Sequence, residues 1–284
     1  MNHLVLGSEG QIGRHLVNYL KKVNEEFIEF DIRRTPTEDL RIYDNELLIK
    51  KIKECDIVHF LAFDVGGSEY MKKYQDSYDF IASNIKIMNT VFDALKHYNK
   101  PFIFASSQMS NMLHSTYGVL KSVGECYTRA LNGAIVKFWN VYGYERDPEK
   151  THVITDFIEM AKNEGKITMK TDGQEERQFL YGDDCAECLF ILSKMHNEID
   201  RSKALHITSF EWTKIIDVAT IISAEFNNCP ILPSTKRDDL QRNIKNEPDD
   251  YILNFWKPKT KLKQGIKNVI EMMPWSRDWQ KDKT

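Results

Sequence analysis

Long apolar runs are absent from this chain of 284 residues, and none approaches the length of a membrane-spanning helix. A large charge of one sign is absent as well. The net charge is -3 at pH 7, so electrostatics gives no argument for a nucleic acid or an anionic membrane as a partner. The N-terminal apolar stretch Leu4-Val5-Leu6 is too short for a secretory signal and predicts a strand. We therefore expect a cytoplasmic globular protein.

Cysteine is scarce too. The chain has five cysteines, and an odd number without a secretory signal argues against a disulfide framework. Cys185 and Cys188 have the spacing of a metal or redox pair, but no second cysteine pair and no nearby histidine accompanies them. With Leu189 and Leu192 they follow an apolar helical pattern. We predict that both thiols are buried and that the protein has no metal site.

Apolar strands alternate with helical patterns along the first half of the chain. Strands are predicted near Leu4, Phe27, Asp56, Phe102 and Ala134, with long helices over about 80–97 and 117–131. Such alternation predicts an α/β fold, a Rossmann doubly wound parallel sheet with helices on both faces. Past Trp139 turn signals become more frequent, which suits a smaller mixed α/β C-terminal lobe that binds substrate.

A glycine-rich turn follows the first predicted strand. Gly7, Gly10 and Gly13 stand at intervals of three, so the spacing differs from the standard Gly-x-Gly-x-x-Gly fingerprint. The position between strand and helix is nevertheless where a dinucleotide-binding turn belongs, with backbone N–H groups and the helix dipole holding phosphates. The residues predicted to hold a cofactor in this turn are Gly7, Glu9, Gly10, Gln11, Ile12 and Gly13.

Asp31 ends the second predicted strand, eighteen residues after Gly13. A carboxylate there accepts hydrogen bonds from the adenosine ribose hydroxyls and repels a 2′-phosphate, which favours NAD over NADP. Arg33 and Arg34 follow at once and weaken that inference, because arginines bind phosphate. We predict NAD as the cofactor, with Ile32 and Arg33 beside it.

Tyr117 follows Ser107 by ten residues and begins a predicted helix. Lys121 is four residues further on, so the two side chains project from the same face of the helix. A neighbouring ammonium favours phenolate, and a phenol with a lowered pKa exchanges a proton near neutral pH. The spacing alone is a weak signal, since such pairs arise often by chance. We expect Lys121 to lower the pKa of Tyr117.

Taken together, these parts resemble the extended short-chain dehydrogenase/reductase family, in particular its nucleotide-sugar epimerases and dehydratases. The resemblance runs over most of the chain and also includes Asp39-Leu40, His59-Phe60-Leu61-Ala62, Ala105-Ser106-Ser107, Phe138-Trp139-Asn140-Val141-Tyr142-Gly143 and Arg177-Gln178-Phe179-Leu180-Tyr181-Gly182-Asp183-Asp184. It implies an NAD-dependent oxidoreductase that acts on a nucleotide-activated sugar. It also leads us to assign residues 1–138 (plus about 182–205) to an NAD-binding Rossmann domain and about 139–181 and 206–284 to the substrate-binding lobe.

The resemblance implies further cofactor contacts. They are Asp39 and Leu40 at the adenine, Leu61, Ala62 and Phe63 along the cofactor channel, and Asn84, Ala105, Ser106, Phe138, Asn140 and Val141 near the nicotinamide. Asn140 is also implied to reach the substrate. Arg177 is implied to bind the phosphates or ribose of the substrate, with a surface salt bridge as the alternative.

Other predicted substrate contacts come from loops. Asp64, Gly66 and Gly67 follow the third strand, where a glycine-rich loop meets the sugar or simply forms a turn. Gln108 and His114 lie between Ser107 and Tyr117; the histidine either reaches a hydroxyl or phosphate of the substrate or is a solvated loop residue.

The implied catalytic residues are Ser107, Tyr117 and Lys121. Tyr117 phenolate removes a proton from a sugar hydroxyl while hydride passes from that carbon, usually C4, to the nicotinamide. Lys121 lowers the pKa of Tyr117 and holds the nicotinamide ribose, and Ser107 donates a hydrogen bond to the reacting oxygen.

Two departures from the family narrow the reaction. Gln108 and Met109 stand where the sugar 4,6-dehydratases carry an Asp-Glu pair, and neither side chain transfers a proton at neutral pH. The cysteine that members inverting C3 or C5 use near Met109 is absent too.

The segment between Ser107 and Tyr117 is also short, so we expect fewer residues to cover the substrate pocket. Hydride transfer at C4 without dehydration is the reaction that fits.

Several alternatives remain open from the sequence. A 4-epimerase and a 4-dehydrogenase both fit, as does an NDP-keto-sugar reductase, and a non-catalytic dinucleotide-binding relative is a further alternative. A GDP-heptose 4-dehydrogenase of capsule synthesis is one candidate, since such enzymes supply capsule or lipopolysaccharide sugars.

Relatives commonly form homodimers by packing the two long helices into a four-helix bundle. In this chain Met88, Phe92, Val123 and Tyr127 either supply that apolar surface or belong to the core. We expect a homodimer on the strength of the resemblance.

Overall fold

This computed structural model describes residues 1–237 and 246–273, so two parts of the predicted substrate-binding lobe, 238–245 and 274–284, lie outside the described residues. The strands in the described ranges are β1 (Asn2–Leu6), β2 (Glu26–Phe30), β3 (Ile57–Phe60), β4 (Phe102–Ser107), β5 (Ala134–Phe138), β6 (Asn140–Tyr142), β7 (Ile167–Thr168), β8 (Glu176–Tyr181), β9 (Ala204–Ile207), β10 (Trp212–Lys214) and β11 (Ile231–Leu232).

The helices in the same ranges are α1 (Gln11–Lys22), α2 (Glu46–Glu54), α3 (Ser68–Tyr74), α4 (Tyr78–Tyr98), α5 (Thr116–Ala130), α6 (Val153–Glu164), α7 (Gly182–Lys194), α8 (Ile215–Glu225) and α9 (Leu262–Met272). Short 3₁₀ helices cover Pro36–Glu38, Gln108–Asn111 and Tyr251–Asn254. Among these helices none is both long enough and apolar enough to cross a membrane.

The main sheet has six strands in the order β2-β1-β3-β4-β5-β9, and every neighbouring pair is parallel. The strand order reverses at β1, so the chain leaves β1 towards one edge and later returns to the other side. In open α/β sheets a ligand binds at such a point, in the crevice outside the carboxyl ends of the strands. The predicted Rossmann fold is confirmed, and the topology places a crevice between the ends of β1 and β3.

Helices cover both faces of this sheet because successive strand residues point to opposite sides. In β1, Val5 packs with residues of α1 and α7, whereas Leu4 and Leu6 pack with residues of α2 and α4. Burial on both faces explains why these strands are continuous apolar runs. Cys185 and Cys188 of α7 are fully buried in the first of these cores, which confirms the prediction of buried thiols. Residues 1–237 and 246–273 contain no cluster of side chains suited to hold a metal ion.

The chain leaves the main sheet directly after β5. Strand β6 pairs with β8, which pairs on its other side with β10, and β7 pairs with β11 in a separate two-stranded ribbon. Helices α6, α8 and α9 pack on these strands around a third hydrophobic core. Helix α7 and strand β9 then return to the main sheet, so the mixed region is anchored to it at several points.

One buried imidazole locks α1 against the start of α7. The Nδ1 atom of His15 lies 2.6 Å from Oδ1 of Asp183. The same ring fills the space above two glycines, since a Cβ at Gly143 or Gly182 would lie 2.1 or 2.4 Å from its atoms. Packing therefore excludes a side chain at either position. Through these contacts His15 holds the mixed region against α1, the helix that follows the glycine-rich turn.

Candidate active site

A cavity of about 520 Å³ lies at the carboxyl end of the main sheet, in the crevice between β1 and β3. Most of the predicted cofactor and catalytic residues line it. The predicted residues that do not line it are Asn84, Asn140, Gly66, Gly67, Gln108, His114 and Arg177. The sequence therefore predicted the wall that would face a cofactor better than the wall that would face a substrate.

The glycine-rich turn has a shape that fits a pyrophosphate. Gly7 adopts φ +87°, and a Cβ there would lie 2.8 Å from the backbone nitrogen of Ala62. A Cβ at Gly13 would lie 2.1 Å from the Gly7 carbonyl oxygen, so α1 packs directly on the turn. No side chain caps the N-terminus of α1, and the first residues of that helix line the cavity. The uncapped N–H groups and the helix dipole suit the phosphates of a dinucleotide.

Asp31 faces the same cavity from the end of β2. Its Oδ2 accepts a hydrogen bond of 2.9 Å from the backbone of Glu9, and its Oδ1 accepts one of 2.9 Å from the backbone of Arg33. These bonds fix the carboxylate beside the glycine-rich turn, where the adenosine ribose of a bound dinucleotide belongs.

The two arginines that follow Asp31 already have carboxylate partners. Arg33 lies 2.5 Å from Asp147, and Arg34 lies 3.1 Å from Glu29 and 3.4 Å from Glu38. A guanidinium that is paired in this way is a poorer partner for a 2′-phosphate than a free one. The local electrostatics therefore favours NAD, as the carboxylate of Asp31 does.

The end of β4 and the first two turns of α5 bring Ser107, Tyr117 and Lys121 to one wall of the cavity. Helix α5 approaches closely because Gly118 has no side chain, and a Cβ there would lie 2.3 Å from the Met109 carbonyl oxygen. Ser115 caps the helix by accepting a hydrogen bond of 3.2 Å from the Gly118 backbone. The cap and the glycine together determine where the helix begins relative to the strand.

Lys121 is buried in the wall, with 3% of its surface exposed. Its Nζ donates a hydrogen bond of 2.7 Å to the Ala105 carbonyl oxygen and lies 3.7 Å from the centroid of the Phe63 ring. Both contacts stabilise an ammonium, the second through the negative face of the ring. Burial nevertheless lowers the pKa of Lys121 to about 7, with the charge of Glu125 acting in the opposite direction.

The phenol of Tyr117 is also in an environment that disfavours charge. Burial raises the pKa of Tyr117 to about 12, and a hydrogen bond with the Ser107 hydroxyl opposes that rise. The prediction that Lys121 lowers this pKa below its ordinary value is wrong for the protein by itself. The physical reason is that burial disfavours the phenolate and also opposes the positive charge of the lysine that would stabilise it.

Asn84 supports the cavity from behind. It is fully buried, its Oδ1 accepts a hydrogen bond of 2.7 Å from the Asp64 backbone, and its Nδ2 donates one of 3.1 Å to the Asp64 carbonyl oxygen. The predicted direct contact with a cofactor is therefore replaced by a contact with the loop after β3. That loop carries Phe63 and Asp64 into the cavity wall.

The predicted substrate contacts are dispersed. Gln108 is buried and its Oε1 accepts a hydrogen bond of 2.6 Å from Asn246. Arg177 lies in β8, where its Nη1 donates to the Glu176 carbonyl oxygen. Asn140 lies in β6 and His114 in the loop before α5, while Gly67 is packed against Thr151.

A segment that the sequence did not indicate forms the remaining wall of the cavity. Residues 144–152 follow β6 and contribute charged side chains, held by pairs between Arg146 and Glu9 at 3.1 Å and between Lys150 and Asp64 at 2.6 Å. Tyr70 also donates a hydrogen bond of 2.7 Å to Asp64, so that carboxylate already has two partners. In the sequence this segment shows only as a run of charged residues after Gly143. The run has neither helical nor strand periodicity, so it did not predict a wall of the cavity.

Glu145 and His152 form an ion pair within this segment, with Nδ1 and Oε1 2.5 Å apart. Burial opposes the charge on both groups. The pairing outweighs it, since the pKa of Glu145 is lowered and the pKa of His152 is raised. The pairing therefore favours the charged form of both groups, which line the cavity.

Comparison with known proteins relates both the sequence and the fold of this chain to one family. Residues 3–208 match the sequence model of the NAD dependent epimerase/dehydratase family. A putative UDP-glucose 4-epimerase of Methanocaldococcus jannaschii is 28% identical over 95% of this chain and 97% of that protein. Among solved structures, an epimerase of Methanothermobacter thermautotrophicus has a TM-score of 0.81 at 20% identity, covering 98% of this chain and 93% of that chain.

A UDP-glucose 4-epimerase of Thermotoga maritima, solved with UDP-glucose, has a TM-score of 0.78 at 19% identity, covering 95% of this chain and 98% of that chain. At such identities the likeness of structures shows the fold. The match over residues 3–208 shows more: this chain belongs to the NAD-dependent epimerase/dehydratase family, the group that its sequence resembles.

Proposed function

We propose that this chain is an oxidoreductase that transfers hydride at C4 of a nucleotide-activated sugar without dehydration, as a 4-epimerase or a 4-dehydrogenase. The observation that carries the proposal is the convergence of Ser107, Tyr117 and Lys121 on one wall of a cavity whose other end fits a dinucleotide. The family is NAD-dependent, and bound NAD would supply the hydride acceptor.

In this proposal the turn of Gly7, Gly10 and Gly13 holds the cofactor phosphates, and Asp31 accepts hydrogen bonds from the adenosine ribose. Tyr117 removes the proton of the sugar hydroxyl, while the Ser107 hydroxyl donates a hydrogen bond to the same oxygen. Lys121, when protonated, stabilises the phenolate of Tyr117. Positioning these groups before the reaction lowers the cost of the proton transfer.

The surroundings of Gln108 support a reaction without elimination. Its amide is held by Asn246 and does not line the cavity, and Met109 beside it is buried. Neither side chain can donate or accept a proton as a carboxyl group does. Removal of water across C5 and C6 therefore has no acid or base at this position.

Two other functions are compatible with the family. An NDP-keto-sugar reductase would use the same residues in the opposite direction, and a non-catalytic relative would bind the dinucleotide without turnover. The complete set of Ser107, Tyr117 and Lys121 favours an enzyme over the second of these. A GDP-heptose substrate in capsule synthesis stays a prediction.

Turnover measurements on a panel of nucleotide sugars distinguish these functions. The nucleotide that stays bound through purification is identified first, and the protein is then incubated with each sugar and NAD, and with keto-sugars and NADH. Net NADH indicates a dehydrogenase, an isomer of unchanged mass indicates an epimerase, and NADH consumption with keto-sugars indicates a reductase. Binding of NAD without any of these products across the panel would contradict the proposal.

We also propose a homodimer formed through α4 and α5. Four apolar side chains on these helices, those of Ile85, Val119, Val123 and Tyr127, each have about 40% of their surface exposed, and Tyr78 at the start of α4 has 83% exposed. Met88 and Phe92 are buried in the core, so they do not supply the surface. Light scattering should give twice the chain mass, and Val123→Glu with Tyr127→Glu should give the single mass; a monomeric wild type would contradict the proposal.

The same reasoning assigns the cofactor to residues 1–138 with about 182–205, and the sugar to the remaining lobe. Support comes from the sheets, since β9 pairs with β5 in the main sheet whereas β6, β8 and β10 form a sheet of their own. A sugar nucleotide bound at the cavity would therefore contact both parts.

A further inference from the structure

The charge of Lys121 is weakly supported by its immediate neighbours. The Nζ atom has a carbonyl oxygen and aromatic rings around it, and no carboxylate in the described ranges lies within 4.0 Å of it. An ammonium that is 97% buried loses most of its hydration, which favours the neutral amine. A lysine that must stabilise phenolate therefore needs a negative charge at slightly longer range.

Glu125 is the carboxylate placed to supply that charge. It is one helical turn beyond Lys121 on α5 and has 5% of its surface exposed. Its Oε1 accepts a hydrogen bond of 2.5 Å from the Ser106 hydroxyl and lies 3.3 Å from Nζ of Lys137, on β5. Its Oε2 lies 3.5 Å from Nη1 of Arg129. These partners hold an ionised carboxylate behind the cavity wall.

We propose that Glu125 is a positioning residue of the active site, whose buried negative charge keeps Lys121 protonated and whose hydrogen bond to Ser106 fixes the end of β4 that carries Ser107. Its effect on turnover rests on the proposed function, whereas its effect on Lys121 does not. Residues four apart on a helix face each other, which places the carboxylate on the side of the lysine.

The charged groups around this carboxylate come from three elements. Arg129 belongs to α5 itself, Lys137 to β5, and His206 to β9. Burial lowers the pKa of His206 to about 4, so this imidazole stays neutral at and above neutral pH. Glu125 raises the pKa of Lys121 against the effect of burial. In the neutral to alkaline range, Glu125 is therefore the neighbouring charge that opposes the effect of burial on Lys121.

The ionisation of Lys121 is measurable without turnover. Protein labelled with 13C at lysine Cε is titrated by NMR, and the Lys121 signal is assigned from its loss in Lys121→Met. Glu125→Gln should move the titration midpoint of Lys121 to lower pH by roughly one unit, because the charge is removed and the shape is kept. Arg129→Gln removes a partner of Glu125 that is half exposed and therefore screened by water, so it should move the midpoint to higher pH by less than removal of the more buried Lys137 does.

Two further variants separate charge from hydrogen bonding and cover a Glu125→Gln protein that fails to fold. Lys137→Gln leaves the carboxylate less compensated, so the Lys121 midpoint should move to higher pH. Ser106→Ala keeps the charge and should leave the midpoint unchanged, while it lowers kcat by loosening the end of β4.

An unchanged Lys121 midpoint in both Glu125→Gln and Lys137→Gln would overturn the role of the charge. Full kcat in Ser106→Ala would overturn the role of the hydrogen bond. If wild-type protein turns over no nucleotide sugar but the midpoints shift as expected, the proposed function fails and the charge effect of Glu125 on Lys121 stands.

Discussion

Burial controls the protonation of the two central side chains, Tyr117 and Lys121. Burial raises the pKa of the phenol to about 12 and lowers the pKa of the amine to about 7, so in both groups burial opposes the charged form. A charge placed near a desolvated group shifts its pKa more than it would shift the pKa of a hydrated group, because the local dielectric is low.

Replacing Tyr117 with phenylalanine tests the proton-transfer role. We expect Tyr117→Phe to lower kcat by at least about 100-fold, the usual scale for loss of a general base. NAD affinity, measured by calorimetry, should stay within a few-fold because the ring and its contact with Phe63 are kept. Turnover close to wild type would contradict the assignment, and a parallel loss of NAD binding would point to a structural effect.

Discrimination between NAD and NADP tests the role of Asp31. NAD should bind more tightly than NADP, because a 2′-phosphate would meet the carboxylate while Arg33 and Arg34 are paired elsewhere. Asp31→Asn should weaken NAD by about 10-fold through loss of a charged acceptor, and should narrow the ratio between the cofactors. Fluorescence titration of both cofactors gives the result; equal or tighter NADP binding by wild-type protein would disprove the assignment.

At the level of elements, close approach of helices to the sheet depends on a few side chains being absent. Gly124 lets α5 contact the Phe104 ring of β4, since a Cβ would lie 2.3 Å from that ring. Gly143 and Gly182 accommodate the ring of His15 in the same way. The Gly124 contact sets the distance between β4, which carries Ser107, and α5, which carries Tyr117, whereas the His15 contacts set the position of α1 against the loop after β6 and the start of α7.

A larger side chain at Gly182 should be destabilising. Gly182→Ala places a methyl group 2.4 Å from the His15 ring, and overpacking of this kind costs about 1–3 kcal/mol of unfolding free energy. Urea denaturation measures the loss. In a His15→Ala background the same substitution should cost at least about 1 kcal/mol less. Equal costs in the two backgrounds would show that the ring is not the obstacle.

Element boundaries were predictable where an apolar stripe persists over several turns. The helices expected over about 80–97 and 117–131 are α4 and α5, and the ends agree within two residues. Helices α2 and α3 have only 9 and 7 residues, so their periodicity was too brief to identify them. Strand β6 follows β5 after one residue, and the change of sheet there leaves no signal in the local sequence.

For the whole molecule, we expect acid to reduce folding stability through two histidines buried in the main sheet. His3 and His59 stack with ring centroids 5.3 Å apart on β1 and β3, and both are fully buried. Burial lowers the pKa of His3 to about 4 and lowers the pKa of His59 well below its ordinary value. The folded protein therefore holds these rings neutral at a pH where the unfolded chain would protonate them.

Stability should decline as the pH falls below 6.5, the ordinary value for histidine, and the decline should continue towards pH 4. Stability falls because the unfolded state binds more protons than the folded state in this pH range. The free energy of unfolding should drop by about 1.4 kcal/mol per pH unit for each buried histidine such as His59. Urea midpoints across this range measure the effect. His59→Gln should flatten the dependence and His97→Gln, at an exposed site, should not; no decline in wild-type protein would contradict the account.

The sequence by itself determined the parts of this protein whose signals are local. Gly7 and Gly13 were predictable because a tight turn and a close packing each require glycine at one position. Asp31 was predictable as a residue of the cavity wall because it directly follows an apolar strand. Tertiary structure alone decided the wall formed by residues 144–152, since its pairs join residues as far apart as Arg33 and Asp147. It also decided that Gln108 faces Asn246 and that burial raises the pKa of Tyr117 and lowers the pKa of Lys121, because hydrogen bonding and desolvation depend on neighbours distant in the chain.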